Sequence, residues 1–443
     1  MSLLKKPIYL TAILSCFMLS ACSSNDDEKP RLEGERISIL DLERDITSSS
    51  KSETEINIPQ AVTNNNWPQA GGNPQHLLEN LTLGADKDQA IEKIWTADIG
   101  RGGTKSIPLN AHPIVANGRV FTLDTNNRLT AFHDQTGKTL WVQNIQNPKE
   151  KDSVIAGGLA YDSDVLYVTS GYNEVLAINP EDGSIYWRTA LKAGSRAAPT
   201  IMNGRVFVNK LNNEIVALNA QTGETLWNYE GTAETTALLG AAAPAADEQI
   251  VIAAFSTGDL IALRVENGSN VWEDNLGNRL RLGGMGGLSD IRGLPVIAGQ
   301  RVIAASFGGK IAAFDKNNGT RLWQQNIGSS DTPWVSGNMV YVLTPDYNLM
   351  GMDIATGDVV WQSKLDLYAN LKKRKNPLTW TGPIMANGHL IVMSIDGRFV
   401  EFDPKTGAKI RELRTGQDVS LSPIIAGGTL FILNEDGRLS AYR

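Results

Sequence analysis

One pairing recurs along most of the chain: a glycine in a polar turn is followed four residues later by a tryptophan, as in HDQTGKTLW at 133–141. The pairs are Gly137/Trp141, Gly183/Trp187, Gly223/Trp227, Gly268/Trp272, Gly319/Trp323 and Gly357/Trp361, and a seventh unit has Arg411 in the tryptophan place after Gly407. Successive glycines are 46, 40, 45, 51, 38 and 50 residues apart. A repeat of about 45 residues predicts similar units packed side by side.

Each unit contains four short segments with strand patterns. In the first unit, HPIVA at 112–116 precedes an Asn-Gly turn, and the alternating segment RVFTL follows at 119–123. A third strand then leads into the glycine turn and the tryptophan strand. Four short strands per repeat predict a blade of a β-propeller. First strands near residues 113, 159, 199, 244, 295, 333, 383 and 423 predict eight blades.

The eighth unit reaches Arg443 with three strands, and the segment IEKIWTADIG at 91–100 supplies the fourth. Trp95 precedes Trp141 by 46 residues, which is one repeat length. We therefore expect an all-β fold over residues 67–443, an eight-bladed β-propeller of four-stranded blades whose ring is closed by the N-terminal strand. Closure pairs strand edges that would otherwise promote aggregation.

The tryptophans of the repeat are expected to have a structural role. A large planar side chain at one fixed place in each blade can fill the gap to the next blade, and its indole N–H can reach a backbone carbonyl there. The residues expected to dock in this way are Trp95, Trp141, Trp187, Trp227, Trp272, Trp323 and Trp361.

The N-terminus has the pattern of a targeting signal. Lys5 and Lys6 precede an apolar stretch at 8–19 that is too short to span a bilayer. Small residues then precede Cys22, which resembles the lipobox of bacterial lipoproteins. The resemblance implies a signal peptide at 1–21, acylation of Cys22 and an outer-membrane location, because Ser23 follows the cysteine. An ordinary secretory signal is the alternative.

Residues 22–66 are rich in Ser, Asn, Asp and Glu and predict a disordered polar tether. One more apolar island, EGERISILDLERD at 33–45, could dock on the domain or a partner, or form a transient helical turn. The only cysteines are Cys16 and Cys22, so a fold over 67–443 contains neither a thiol nor a disulfide.

Composition and motifs favour binding over catalysis. A net charge of −7 argues against a nucleic-acid partner. The histidines His76, His112, His133 and His389 lack metal-ligand spacing. The glycine-rich GGMGG at 283–287 lacks the Lys-Ser/Thr of a phosphate loop, and no Gly-x-Ser-x-Gly elbow is present. We therefore expect no catalytic residues, no metal and no cofactor.

The unit Asp-x-x-Thr-Gly-x-x-x-Trp resembles the repeat of quinoprotein dehydrogenases, whose eight-bladed propellers hold pyrroloquinoline quinone. The resemblance covers residues 91–443 and implies the fold. Those enzymes usually carry a disulfide between adjacent cysteines, and this sequence has no such pair. A quinone-dependent dehydrogenase remains an alternative function, as does a periplasmic propeller that binds a ligand.

The lipobox, the tether and the eight repeats together resemble the BamB family of lipoproteins of the outer-membrane β-barrel assembly machinery. WPQAGGNPQH at 67–76 is also similar to that family. The resemblance implies a non-enzymatic scaffold on the periplasmic face of the outer membrane. It also implies that the chain binds the POTRA domains of BamA, works with other subunits of the machinery and assists insertion of nascent outer-membrane β-barrel proteins.

In that family, two loops form the partner surface. One carries Leu-x-Leu-Arg-Gly, and the matching stretch at 236–240 retains Leu238 but has Leu239 in the arginine place. The other carries Leu-Ser-Asp-x-Asp, and the stretch at 288–292 retains Asp290 but has Arg292 in place of the second aspartate. The resemblance implies a protein-binding role for these four residues, and packing or turn capping between blades is the alternative.

A basic run stands out in this acidic chain. LKKRKNPLTW at 371–380 contains four consecutive cationic residues, 372–375. The run could contact an acidic partner or membrane headgroups, and a solvated loop is the simpler interpretation.

Overall fold

The computed structural model describes residues 55–84, 91–147, 155–232, 240–277 and 290–443. These residues form eight four-stranded antiparallel sheets, which confirms the eight-bladed propeller. The signal segment, Cys22, the island at 33–45 and the loop residues Leu238 and Leu239 lie outside the described residues. None of the described helices is long and apolar enough to cross a membrane.

The first four blades use consecutive strands. Blade 1 contains β2 (Ile114–Ala116), β3 (Arg119–Leu123), β4 (Arg128–His133) and β5 (Thr139–Asn144). Blade 2 contains β6 (Gly158–Asp162), β7 (Val165–Ser170), β8 (Glu174–Ile178) and β9 (Ile185–Ala190). Blade 3 contains β10 (Thr200–Met202), β11 (Arg205–Asn209), β12 (Glu214–Asn219) and β13 (Thr225–Glu230). Blade 4 contains β14 (Ala245–Ala246), β15 (Ile250–Ala254), β16 (Asp259–Arg264) and β17 (Asn270–Asn275).

The remaining blades follow the same order, with one additional hairpin between blades 6 and 7. Blade 5 contains β18 (Val296–Ala298), β19 (Arg301–Ala305), β20 (Ile311–Asp315) and β21 (Arg321–Gln325). Blade 6 contains β22 (Trp334–Ser336), β23 (Met339–Leu343), β24 (Asn348–Asp353) and β25 (Val359–Lys364), and the hairpin contains β26 (Tyr368–Asn370) and β27 (Lys375–Pro377). Blade 7 contains β28 (Trp380–Ala386), β29 (His389–Ser394), β30 (Arg398–Phe402) and β31 (Lys409–Arg414). Blade 8 contains β32 (Ile424–Ala426), β33 (Thr429–Leu433), β34 (Arg438–Tyr442) and, from the N-terminal side, β1 (Lys93–Asp98).

The ring closes through the pairing of β1 with β34. The two strands are antiparallel, and Trp95 lies opposite Ala441 while Asp98 lies opposite Arg438. The expected closure by the N-terminal strand is therefore confirmed. Because the third and fourth strands of blade 8 come from distant parts of the sequence, no turn connects them.

Neighbouring blades are joined by the repeat tryptophans. In each of the seven cases, the indole Nε1 donates a hydrogen bond of 2.7–3.0 Å to a carbonyl oxygen in the glycine turn of the next blade. The acceptors, in ring order, are Asp134, Pro180, Ala220, Val265, Lys316, Ile354 and Pro404. The ring also lies so close to the turn glycine that a Cβ there would come within 2.3–2.9 Å of it. The tryptophan and the glycine are therefore partners across a blade boundary.

Arg411 occupies the tryptophan position of blade 7. The next blade is blade 8, in which no turn connects the third and fourth strands. Among the described residues, no turn glycine faces this position because β34 and β1 are not consecutive. The guanidinium of Arg411 instead donates to Glu401 within its own blade, with Nε 2.6 Å from Oε2 and Nη2 2.8 Å from Oε1. The departure from the repeat therefore follows from the way the ring is closed.

A segment before the first blade runs once around the ring. Its contacts are to the first strands or first turns of the blades, starting and ending at blade 8. They join Asn64 to Gly427, Trp67 to Val115, Pro68 to Tyr161, Gln69 to Ile201, Pro74 to Ala246, Gln75 to Ile297, Glu79 to Trp334, Leu81 to Met385 and Gly84 to Gly428. We call residues 62–84 the N-terminal segment. It includes a single 3₁₀ turn at Ala70–Gly72 and ties the inner strands of all eight blades together.

The residues just before this segment also contact the ring. The backbone N–H of Asn57 donates to Oδ1 of Asn338 in blade 6, at 2.9 Å. The carbonyl oxygen of Pro59 accepts a 2.8 Å hydrogen bond from Nδ2 of Asn80. The described end of the sequence predicted as a tether therefore lies against the propeller.

Candidate protein-binding face

The two faces of the ring carry different connections. In each antiparallel blade, the first-to-second and third-to-fourth strand turns share one face, which we call the turn face. The opposite face, the loop face, carries the second-to-third strand turns and the connections between blades. The N-terminal segment lies on the turn face. The described residues of the two candidate loops, Gly240 and residues 290–292, lie in connections between blades and therefore on the loop face.

Asp290 is held within the protein. It is only 5% exposed, and its carbonyl oxygen accepts a 2.9 Å hydrogen bond from the backbone N–H of Phe307 in blade 5. The next residue, Ile291, is also buried, and its N–H donates to the carbonyl oxygen of Phe255 in blade 4. This segment bridges two blades, so Asp290 holds the loop in place and presents little surface to a partner.

Arg292 is exposed on the same loop and lies beside the end of the neighbouring one. A Cβ added to Gly240 would lie 3.4 Å from Nε of Arg292 and 3.3 Å from Oδ1 of Asn110. Within the described ranges, the side chain of Arg292 forms no hydrogen bond or ion pair. The two candidate loops therefore meet at Gly240, with the guanidinium of Arg292 beside the contact.

The charge of Arg292 affects the pKa of two other groups on the loop face, Asp331 and His112. Burial raises the pKa of Asp331 to about 6, and Arg292 together with hydrogen bonds from Gly382, Ser330 and Thr381 opposes that rise. Removal from bulk water and the charge of Arg292 lower the pKa of His112 to about 4. His112 is exposed, and the positive charge of Arg292 disfavours its protonated form.

Asn110 joins this region to two further blades. Its Nδ2 lies 2.9 Å from the carbonyl oxygen of Ala156, 3.2 Å from that of Gly157 and 2.8 Å from that of Arg196. The segment that leads into blade 1 is thereby fixed against blades 2 and 3. Sequence reasoning did not identify Asn110, His112 or Asp331 as parts of this face, although each lies within three residues of a Pro-led first strand.

The tryptophans outside the repeat place are packing residues. Trp67, Trp334 and Trp380 are each less than a tenth exposed. The indole of Trp334 donates to the carbonyl oxygen of Glu79, and that of Trp380 donates to the carbonyl oxygen of Asp366. These rings are used inside the protein and do not form an aromatic surface. Among the described residues, no group of three or more His, Cys, Asp or Glu side chains could hold a metal ion.

Comparison with known proteins identifies one family. A family model described as outer membrane protein assembly factor BamB matches residues 88–157, 133–363 and 353–443. The protein of that name from Burkholderia pseudomallei (strain K96243) is 26% identical over 357 residues, which is 80% of this chain and 88% of that protein. The one from Escherichia coli (strain K12) is 24% identical over 348 residues, covering 77% and 86% of the two chains.

Solved structures show the same fold. The crystal structure of BamB from Moraxella catarrhalis aligns with a TM-score of 0.67 at 19% identity, covering 80% of this chain and 100% of that one. Quinohemoprotein alcohol dehydrogenase ADHIIG from Pseudomonas putida HK5 aligns with a TM-score of 0.66 at 14% identity, covering 88% and 83%. Likeness at these identities establishes the propeller architecture alone.

Proposed function

The chain belongs to the family of the outer membrane protein assembly factor BamB, and from this membership we propose that it is a non-enzymatic scaffold of the outer-membrane β-barrel assembly machinery. In this role it binds the POTRA domains of BamA, works beside other subunits and assists insertion of nascent β-barrel proteins. The match of the family model across all eight blades carries the proposal. The names of the relatives from Burkholderia and Escherichia support it.

We propose that Arg292 is the charged contact of the BamA-binding surface. The BamB family pattern has an arginine directly before the glycine of the first loop, and this chain has Leu239 there. The guanidinium of Arg292 lies beside Gly240, the next residue, so the neighbouring loop supplies a positive charge at nearly the same place. Leu238 and Leu239 contribute apolar contacts, while buried Asp290 fixes the second loop. Arginine is enriched among the residues of protein interfaces, which supports this assignment.

The location follows from the same family. We propose that Cys22 is acylated after removal of residues 1–21 and anchors the chain to the periplasmic face of the outer membrane. Residues 23–54 would connect the anchor to the propeller as a polar tether. Three acyl chains hold a protein stably, because each buried methylene group contributes about 0.8 kcal/mol.

The alternatives are a quinone-dependent dehydrogenase and a periplasmic ligand-binding propeller. The dehydrogenase shares the ring architecture, as the Pseudomonas putida structure illustrates. That architecture follows from the packing of Trp and Gly between blades and is compatible with several functions. Because the family match favours the scaffold role over these two alternatives, we propose the scaffold role first.

Purification of the tagged chain from detergent-solubilised outer membranes tests the proposal. We expect BamA to co-purify in stoichiometric amount. Cys22→Ser should abolish incorporation of labelled palmitate into the chain, although its propeller folds normally. Absence of BamA together with a bound quinone chromophore would support the dehydrogenase, and absence of both would reject the scaffold role.

A further inference from the structure

A β-hairpin projects from the loop face between blades 6 and 7. Its strands are β26 and β27, with Tyr368 opposite Pro377 and Asn370 opposite Lys375. Every residue from 369 to 377 is exposed. An isolated two-stranded ribbon is at best marginally stable in water, so a ribbon held away from the ring points to an external contact.

The base of this hairpin is fixed to the propeller. The backbone N–H of Leu378 donates to the carbonyl oxygen of Leu367 at 3.0 Å, and Leu378 itself is buried. Trp380, also buried, donates from Nε1 to the carbonyl oxygen of Asp366 at 2.8 Å. The ring therefore presents the tip of the hairpin in a defined direction.

The tip is cationic. Lys372, Lys373, Arg374 and Lys375 are consecutive and exposed, and within the part of the chain that the structure describes none of them forms an ion pair. Two exposed cations of blade 7 behave differently: Arg414 lies 3.0 Å from Asp396, and Lys409 lies 2.5 Å from Glu412. Four consecutive exposed cations therefore form a positive patch on a chain whose net charge is −7.

The same hairpin exposes apolar side chains beside the charges. Leu371, at the turn, is 57% exposed, and Leu367, at the base, is 38% exposed. Cationic groups beside an exposed leucine at the tip match the interface of a bilayer, where cations meet anionic headgroups and apolar side chains enter the boundary with the acyl chains. An acidic protein surface would account for the charges alone.

We propose that the hairpin at 368–377 binds the surface of a bilayer that contains anionic lipid. This contact is independent of acylation at Cys22 and of BamA binding, so it goes beyond the proposed function. It would hold the loop face of the ring close to the membrane.

Vesicle co-sedimentation tests the inference. The protein is the chain from residue 22 onward with Cys22→Ser, so that no acyl chain contributes to binding. The vesicles contain about 30% phosphatidylglycerol in phosphatidylcholine, and pure phosphatidylcholine vesicles serve for comparison. The hairpin variant changes residues 372–375 to Gln. Its matched control changes four exposed lysines outside the hairpin and its base to Gln: Lys105, Lys138, Lys192 and Lys405.

We expect the parent and the control to bind the anionic vesicles and the hairpin variant to bind at least about a hundredfold more weakly, since each cation near such a surface contributes roughly a fivefold gain. Binding should weaken as NaCl rises from about 50 to about 500 mM. Leu371→Ser should weaken binding at both salt concentrations. Equal binding by the hairpin variant and the control would overturn the proposal. The proposal would also be overturned if the hairpin variant bound the vesicles like the parent but no longer bound purified BamA. The hairpin would then contact an acidic protein surface.

Discussion

The indole Nε1 of Trp361 donates a hydrogen bond of 2.9 Å to the carbonyl oxygen of Pro404, across the boundary between blades 6 and 7. The same indole covers Gly407, where a Cβ would lie 2.3 Å from Cε3. The contact needs a tryptophan on one blade and a glycine on the next. It is therefore a property of two neighbouring units, which is why the pattern persists around the ring and changes at the one boundary that lacks the turn.

Gly268→Ala should destabilise the protein more than Gly204→Ala. Both glycines have left-handed backbones, with φ of +71° and +69°, so both variants lose roughly 1–2 kcal/mol through backbone strain. At Gly268 the new Cβ would also lie 2.5 Å from Cε3 of Trp227, whereas Gly204 has nothing within 4 Å. Overpacking adds about 1–3 kcal/mol. Urea denaturation measures the difference.

Gly204→Ala serves as the matched control, because it carries the strain without the clash. Equal free energies of unfolding for the two variants would show that the indole of Trp227 can move away from the new methyl group at little cost. The tryptophan would then contribute little to the blade boundary.

Placing a tryptophan at the repeat position of blade 7 should destabilise the protein. Arg411→Trp removes the guanidinium that pairs with Glu401, a residue only 3% exposed. No turn glycine of blade 8 is available to receive the indole. The buried carboxylate would keep only the imidazole of His389, whose Nδ1 lies 3.2 Å from Oε2, so losing the guanidinium costs up to about 3–5 kcal/mol. Thermal and urea denaturation should both show this loss.

The double variant Arg411→Trp with Glu401→Leu tests the cause. Removing both charges should recover most of the lost stability, because the uncompensated carboxylate is gone. A single Arg411→Trp variant as stable as the parent would contradict the account of how the ring closes.

Most of the ring could be predicted from the sequence because its signals are local and repeated. Alternating strands, turn glycines and the interval between Trp95 and Trp141 together define the blades and the closing strand. Each signal depends on residue types that only a few structures favour, such as glycine at positive φ. Eight approximate copies reinforce one another.

The N-terminal segment could not be predicted in this way. Its contacts to the ring, such as Trp67 with Val115 and Pro74 with Ala246, are largely between backbone groups, which every residue possesses. Asp290 illustrates the same difficulty at the candidate site. An aspartate in a loop usually indicates exposure, yet the backbone bonds to Phe255 and Phe307 draw this segment between two blades.

The N-terminal segment should loosen in acid through His76. This side chain is 5% exposed, its Nδ1 lies 2.7 Å from the carbonyl oxygen of Pro295, and its Nε2 has no partner among the described residues. Burial lowers its pKa to about 4. The unfolded chain, with a histidine pKa near 6.5, then binds the proton more readily, so stability falls as pH drops from about 6.5 towards about 4.

His76→Asn should remove this dependence. Asparagine tolerates the left-handed backbone at this position, where φ is 58°. Between about pH 7 and about pH 4.5, the parent should lose roughly 2–3 kcal/mol more than the variant, at about 1.4 kcal/mol per pH unit. Urea denaturation at each pH provides the comparison. If the parent and the variant lost the same free energy of unfolding, His76 would have the same pKa in the folded and unfolded chain, and its protonation would not disturb the segment.

Arg292→Glu should abolish binding to BamA while lowering the melting temperature by only a few degrees. The side chain is exposed and forms no ion pair among the described residues, so reversal of its charge costs the fold mainly the attraction between Arg292 and Asp331. Asp290 is unsuitable for this test because a lysine there would bury a charge. Arg264→Glu, at an exposed arginine on the turn face, is the matched control and should bind normally. If both variants bind BamA like the parent, the interface lies away from the junction of the two loops.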